Sequence, residues 1–282
     1  MIDGHTELVG LIGWPVTHSL SPAMHNAAFA ARGMNWVYVP LSVPPGKVEA
    51  AVRGLLALGF RGANVTVPHK QAVMPFMDEL GESAQALGAV NTILVREGRL
   101  VGENTDWRGF LDALRAGGFN PGRKRALVLG AGGGARAVIY ALVREGAQVS
   151  IYNRTPTKAA GLAQDLQKGM PHAKIFLLNA FPSCLDEFDL LVNATPVGMW
   201  PESDSSPWPE DVPLPSHLTV FDLVYRPLWT KLLKKARKDG ARSIGGMEML
   251  VRQGALAFEM WTGEAPPLEA MRAACEKALM EE

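Results

Sequence analysis

The sequence predicts an α/β protein built as two domains. Short apolar runs alternate with longer stretches of helical periodicity along most of the chain, the pattern of parallel sheets covered by helices rather than of a sandwich or a bundle. A fresh series of strand, glycine turn, helix and strand starts at residue 126, after a Gly/Pro/Arg/Lys turn at 117–125. A length of 282 residues crowds a single core but suits two domains of ordinary size.

In chain order, Leu8–Ile12 reads as the first strand, and Ser21 as N-cap with Pro22 at the first helical position opens a helix to Arg32. Trp36–Leu41 is the second strand, Val48–Leu58 has helical periodicity, and Gly62–Val67 is a strand that Pro68 stops. A helix from Asp78 or Ser83 to Leu87 precedes a hairpin over Thr92–Val101, with Glu97-Gly98 as its turn. One domain's worth of chain is complete near residue 105, and Trp107–Ala116 is a linking helix. The second series comprises Ala126–Leu129 as strand, Gly133–Glu145 as helix and Gln148–Tyr152 as strand. Lys174–Leu178, Leu190–Asn193 and Val220–Leu223 are further strands. Trp200–Pro215, rich in proline and acid, reads as an exposed loop too polar to be core. Leu228–Lys238 is a helix with a solvated basic face, and helical periodicity returns over Met247–Trp261 and from Pro267 to Leu279.

Composition removes several function classes. With 28 basic and 28 acidic residues and 48% hydrophobic content, the chain has neither the profile of a disordered protein nor the basic surface that phosphate-backbone binding needs. Its apolar runs are far shorter than a membrane span, and Asp3, His5 and Glu7 interrupt any signal-peptide start, so a soluble cytoplasmic protein is expected. Cys184 and Cys275 have no metal-site or disulfide-scaffold spacing. The six histidines lack HExxH or other close ligand pairs, so metal catalysis is disfavoured.

The sharpest local signal is Gly130-Ala131-Gly132-Gly133-Gly134-Ala135, which follows a strand and opens a helix. In that context it fits GxGxxA: Gly130 permits the tight turn, Gly132 lets the backbone approach a pyrophosphate, and Ala135 keeps helix and sheet close. The helix N-terminus then faces the diphosphate. At the end of the second strand, where an NAD site carries an acid for the ribose hydroxyls, the chain has Asn153-Arg154-Thr155 and then Lys158. A carboxylate repels a 2′-phosphate and a guanidinium grips it, so NADP is favoured.

Four polar clusters stand where strands end: His18-Ser19-Leu20-Ser21-Pro22, Asn64 to Lys70, Asn91-Thr92, and Asn104-Thr105-Asp106. Each has an ordinary reading as turn, N-cap or Asx group beside a functional one. Hydride delivery to a ketone builds negative charge on oxygen, so a protonated donor must stand within hydrogen-bond reach. Lys70 with Asp106 can form that unit, and His69 is the alternative acid. A neighbouring carboxylate raises a lysine's pKa, so desolvation is needed to bring it toward neutrality.

The segments GWPVTHSLSPAMHNAAF at 13–29, NVTVPHK at 64–70, AVNTI at 89–93, NTDWRGF at 104–110, GAGGGARA at 130–137, NRT at 153–155, NATPVGM at 193–199, DLVYRP at 222–227 and GGMEMLVRQGALAFEMWTG at 245–263 together resemble the shikimate dehydrogenase family. The paired serines and NVTVPHK are far more specific than the glycine loop. The resemblance implies NADPH-dependent, reversible reduction of 3-dehydroshikimate to shikimate, a step toward chorismate and the aromatic amino acids. It implies Ser19 and Ser21 on the substrate carboxylate, with Asn64, Thr66, Lys70, Asn91, Asp106, Tyr225 and Gln253 around the ring, and Lys70 with Asp106 as the catalytic pair. For the cofactor it implies the glycine turn, Asn153, Arg154, Thr155, Lys158, Thr195 and Val224, with Gly246 and Met247 toward the nicotinamide. It implies a substrate domain of residues 1–106 completed by 245–282, a Rossmann domain of 107–244, a cleft between them, and a monomer or homodimer. Trp14, Gly134 and Lys231 depart from the common pattern without removing a reacting group. The rival readings are a quinate or dual-specificity, NAD-using relative, which the serines and the NRT segment oppose, and a sensor without turnover, which should have lost the lysine and aspartate.

Overall fold

Glu7–Gly13 (β1) is buried from Val9 onward on both faces, as the inner strand of a covered sheet must be. In the computed structural model, which describes residues 2–281, β1 pairs in parallel with Trp36–Ser42 (β2) on one side and Phe60–Val65 (β3) on the other. A short strand, Glu79–Leu80 (β4), and the hairpin Thr92–Arg96 (β5) and Arg99–Glu103 (β6) complete the order β2-β1-β3-β5-β6-β4. Only β5 opposes the others among the described residues. The hairpin turn has positive φ at both Glu97 and Gly98, the primed geometry that matches strand twist. Ser21–Ala31 (α1), Val48–Ala57 (α2) and Glu82–Leu87 (α3) accompany this sheet.

These elements belong to the first of two units, Met1–Thr105 with Val251–Glu282; Asp106–Leu250 is the second. In the second, Asp106–Ala116 (α4) leads into Arg125–Leu129 (β7), Gly133–Arg144 (α5), Gln148–Tyr152 (β8), Pro156–Gly169 (α6) and Ile175–Leu177 (β9). Leu190–Asn193 (β10), Thr219–Asp222 (β11), Lys231–Lys238 (α7) and Arg242–Gly245 (β12) follow. All six strands are parallel in the order β12-β11-β10-β7-β8-β9. The chain winds outward from β7 to β9, then resumes on the other side at β10. That reversal between β7 and β10 is the switch point where doubly wound sheets open a crevice at their carboxyl ends. Gly246–Thr262 (α8) starts in the second unit and from Val251 belongs to the first, where Leu268–Met280 (α9) packs on α1.

Trp208 lies in the stretch expected to be an exposed loop, yet it is 1% exposed, with its indole N–H donating to Val212 O at 3.0 Å and its ring packed among Leu214, Leu218 and Leu232. The polar residues around it are the loop's outer side. α6 was not expected because its buried face is Ala159, Leu162, Ala163 and Leu166, where alanine supplies helix propensity but little hydrophobic signal. β4 is only two residues long, and β12, Arg-Ser-Ile-Gly, has Ile244 as its one buried side chain and so no apolar run. β3 ends at Val65 rather than Val67, because His69 N donates to Thr66 O at 2.9 Å and closes a turn around Pro68. α7 begins at Lys231 rather than Leu228, where the Thr230 side chain accepts from Leu233 N at 3.2 Å and caps it.

Candidate active site

The polar residues of the first unit gather at the ends of its strands. Asn64 is the next-to-last residue of β3 and Thr92 opens β5, and the antiparallel register sets them opposite each other. Tyr38 Oη donates to Asn64 Oδ1 at 2.9 Å, while Asn64 Nδ2 donates to Asn91 O at 3.2 Å and Thr92 Oγ1 at 3.1 Å. Asn91 continues the chain: its Oδ1 accepts from Thr105 N at 2.7 Å, and its Nδ2 donates to Thr105 Oγ1 at 2.9 Å and Gln253 Oε1 at 3.3 Å. These buried amides are oriented by their partners, so each presents a defined donor or acceptor side. Asn91 is therefore not a local Asx cap; Asn104 is buried, and its Nδ2 donates to Ala89 O at 2.9 Å.

Ser21 is not an N-cap. The cap position is Leu20, without a side-chain bond, and Ser21 N donates to Ser19 Oγ at 3.2 Å. Thr66 and Lys70 sit on the turn after β3. Gly13 lets that turn close on β1, since a Cβ there would lie 2.3 Å from Thr66 Cγ2. Lys70 is half-buried, and its main chain is pinned by Val90 N, which donates to Lys70 O at 2.8 Å. His69, the alternative acid, is buried with Nε2 2.6 Å from Val43 O. A carbonyl can only accept, so that nitrogen holds its proton inside the protein.

Tyr38 and His25 were not expected at the site from the sequence, and Thr92 and Thr105 stood only as members of polar clusters at element ends. Tyr38 looks like one more core residue of an apolar strand, and only the sheet order brings its hydroxyl to Asn64. His25 is fully buried and stacks on the Tyr38 ring at 4.5 Å, and neither ring nitrogen has a hydrogen bond of ordinary geometry. Burial pushes its pKa down to about 3, opposed by the nearby Asn64 side chain. A lowered histidine pKa contributes stability above the unfolded value of 6.5 that is lost as pH falls toward about 3. At about pH 5 the loss amounts to roughly 2 kcal/mol. His25→Phe should remove it, so urea unfolding near pH 7.5 and pH 5 should show a smaller fall in the variant. Equal falls in both proteins would show that His25 is not held neutral.

The second unit carries a cavity of about 470 Å³ at the carboxyl ends of β7, β8 and β10. Gly130, Ala131, Gly132, Asn153, Arg154, Lys158 and Thr195 line it, with Tyr152, Phe181, Pro196, Val197 and Ser206. Gly130 has φ +109, and a Cβ there would meet Ala194 O at 2.9 Å, so only glycine suits the turn. At Gly132 and Gly133 a Cβ would meet nothing within 4 Å, which leaves the N-terminus of α5 open to a ligand. Arg154 and Lys158 are exposed cations on the wall, and no carboxylate is among the described lining residues. These features fit an anionic dinucleotide with an extra phosphate. Gly133, Gly134 and Ala135 form the first turn of α5, and Asn153 Nδ2 donates to Thr155 O at 2.8 Å to shape the turn into α6. Val224, Tyr225, Gly246 and Met247 lie beyond β11 and β12, outside the cavity lining. A Cβ on Gly246 would fall 2.2 Å from Leu223 O. Asp106 is the buried first residue of α4, where a helix N-terminus favours an acid.

Three family models match the chain: the shikimate dehydrogenase substrate binding domain over residues 11–93, shikimate/quinate 5-dehydrogenase over 115–198, and the shikimate 5′-dehydrogenase C-terminal domain over 246–276. The shikimate dehydrogenase (NADP(+)) of Methanopyrus kandleri is 50% identical over 97% of this chain and 96% of its own. A crystal structure of a shikimate dehydrogenase in complex with NADP+ superposes with a TM-score of 0.93 at 41% identity, over 99% of this chain and 98% of that one. The Thermus thermophilus shikimate 5-dehydrogenase in complex with NADP(H) and shikimate gives 0.87 at 41% identity, over 96% and 99%.

Proposed function

The chain belongs to the shikimate/quinate dehydrogenase family, and from that premise we propose that it reduces 3-dehydroshikimate to shikimate reversibly with NADPH. The observation that carries the reading is the cavity at the switch point, with an open glycine turn and the cations Arg154 and Lys158 but no carboxylate among the described lining residues. A phosphorylated nicotinamide dinucleotide fits that wall better than an unphosphorylated one. Relatives of this chain include a complex with NADP(H) and shikimate, which supports the substrate choice.

On this reading residues 1–106 with 245–282 bind substrate and 107–244 bind cofactor. When bound, NADPH supplies the hydride. Ser19 and Ser21 donate to the substrate carboxylate through their hydroxyls, and Asn64, Thr66, Asn91, Tyr225 and Gln253 hold the ring hydroxyls. The Lys70 ammonium donates a hydrogen bond to the ketone oxygen as negative charge develops there and gives it a proton; Asp106 orients the ammonium. Gly246 and Met247 border the nicotinamide. Product analysis by NMR tests the reading: NADPH and 3-dehydroshikimate should disappear in equal amounts as shikimate forms. Consumption of neither by the purified protein would sink it.

A further inference from the structure

Asn193 ends β10 and Asp222 ends β11, and the parallel register sets them side by side. Both are fully buried. Asn193 Nδ2 donates to Asp222 Oδ1 at 2.9 Å and to Val197 O at 3.1 Å, while its Oδ1 accepts from Thr195 N at 3.1 Å and Thr195 Oγ1 at 2.6 Å. Only one amide orientation satisfies two acceptors and two donors in this way. Thr195 Oγ1 in turn accepts from Val197 N at 3.2 Å. The Asp222 carboxylate also accepts from Val224 N at 3.0 Å and Thr230 Oγ1 at 2.7 Å. Three segments thus converge on one carboxylate: the turn after β10, the turn after β11, and the cap of α7.

A carboxyl group in the interior is costly; burial pushes Asp222 up to about 6 against the three hydrogen bonds that favour its charged form. Two apolar residues would join β10 to β11 without that penalty, so joining the strands does not account for the pair. Its other consequence is local. Thr195, Pro196 and Val197 line the dinucleotide cavity, whereas Asn193 and Asp222 do not. The turn they brace lies against the glycine turn, where Ala194 O would stand 2.9 Å from a Gly130 Cβ.

We propose that Asn193 and Asp222 are positioning residues for the cofactor, holding the Thr195–Val197 turn in the form that walls the dinucleotide cavity. The proposal rests on the reading of that cavity as the NADPH site. It assigns the pair to cofactor affinity and not to the chemistry of the substrate. Asp222→Asn should be tolerated: its Oδ1 still accepts from Asn193 and Val224, and its new Nδ2 donates to Thr230 Oγ1, whose hydroxyl can turn away.

The test measures NADPH dissociation by fluorescence titration, the KM for 3-dehydroshikimate at saturating NADPH, and amide exchange at Thr195 and Val197. Asn193→Ala should weaken NADPH about tenfold, with the substrate KM within about twofold of the parent. Exchange at the Thr195 and Val197 amides should accelerate, and Asp222→Asn should keep NADPH affinity within about threefold. Asn193→Ser, which retains a short donor, should fall between parent and alanine and serves if the alanine variant does not fold. A folded Asn193 variant that binds NADPH as tightly as the parent overturns the proposal. So does a loss of NADPH affinity matched by the substrate KM, the mark of a general structural role. Failure of the parent itself to bind NADPH overturns the reading of the cavity, a result separate from either.

Discussion

Lys70→Ala is expected to lower the turnover of 3-dehydroshikimate by about 10² to 10⁴-fold, the usual range for loss of a positioned proton donor. The NADPH dissociation constant should stay within about twofold, because the lysine is assigned to the ketone and not to the dinucleotide. The variant should fold. Lys70 is half-buried, and its turn is closed by main-chain bonds, His69 N to Thr66 O at 2.9 Å and Val90 N to Lys70 O at 2.8 Å, which truncation leaves intact. His69 offers no substitute, since its Nε2 is committed to Val43 O. Single-turnover kinetics with saturating NADPH checks the assignment; turnover near that of the parent would reject Lys70 as a central group.

Arg154→Ala should separate the two nicotinamide cofactors. Loss of a charge-assisted contact to the 2′-phosphate corresponds to about ten- to a hundredfold in the KM for NADPH, whereas the KM for NADH should move less than about threefold. The effect stays short of complete because Lys158 shares the wall and keeps part of the local field. Parallel KM determinations with both cofactors decide it. Equal losses would mean that Arg154 shapes the turn into α6 and does not grip a phosphate.

Fold and site are most legible in the sequence where one short segment determines both shape and chemistry. Strand, glycine turn and helix from Arg125 to Arg144 are contiguous, and the absence of an acid after Tyr152 is visible without coordinates. Asn64, Asn91 and Gln253 could be named as polar residues near element ends, but their joining into one hydrogen-bonded chain depends on β3 pairing with β5 and on α8 returning to the first unit. Tyr38 was hidden for the same reason, as a member of a network that exists only in three dimensions. Ser21 misled because a serine before proline is the usual mark of a helix cap, whereas here the helix begins on it. Trp208 misled through its neighbours: prolines and acids surround one large apolar ring that is in fact core. Asn193 and Asp222 carry no sequence mark of their pairing, since only the order β11-β10-β7 makes them adjacent and sets their turn beside Gly130.

The central claim is the choice of substrate and cofactor together. Steady-state kcat/KM for shikimate and for quinate, each with NADP+ and with NAD+, tests it in one matrix. The combination of shikimate with NADP+ should exceed each of the other three by about an order of magnitude or more, as follows from the cations on the cavity wall and the two serines at the start of α1. A higher kcat/KM for quinate, or for NAD+ with either substrate, would contradict the account.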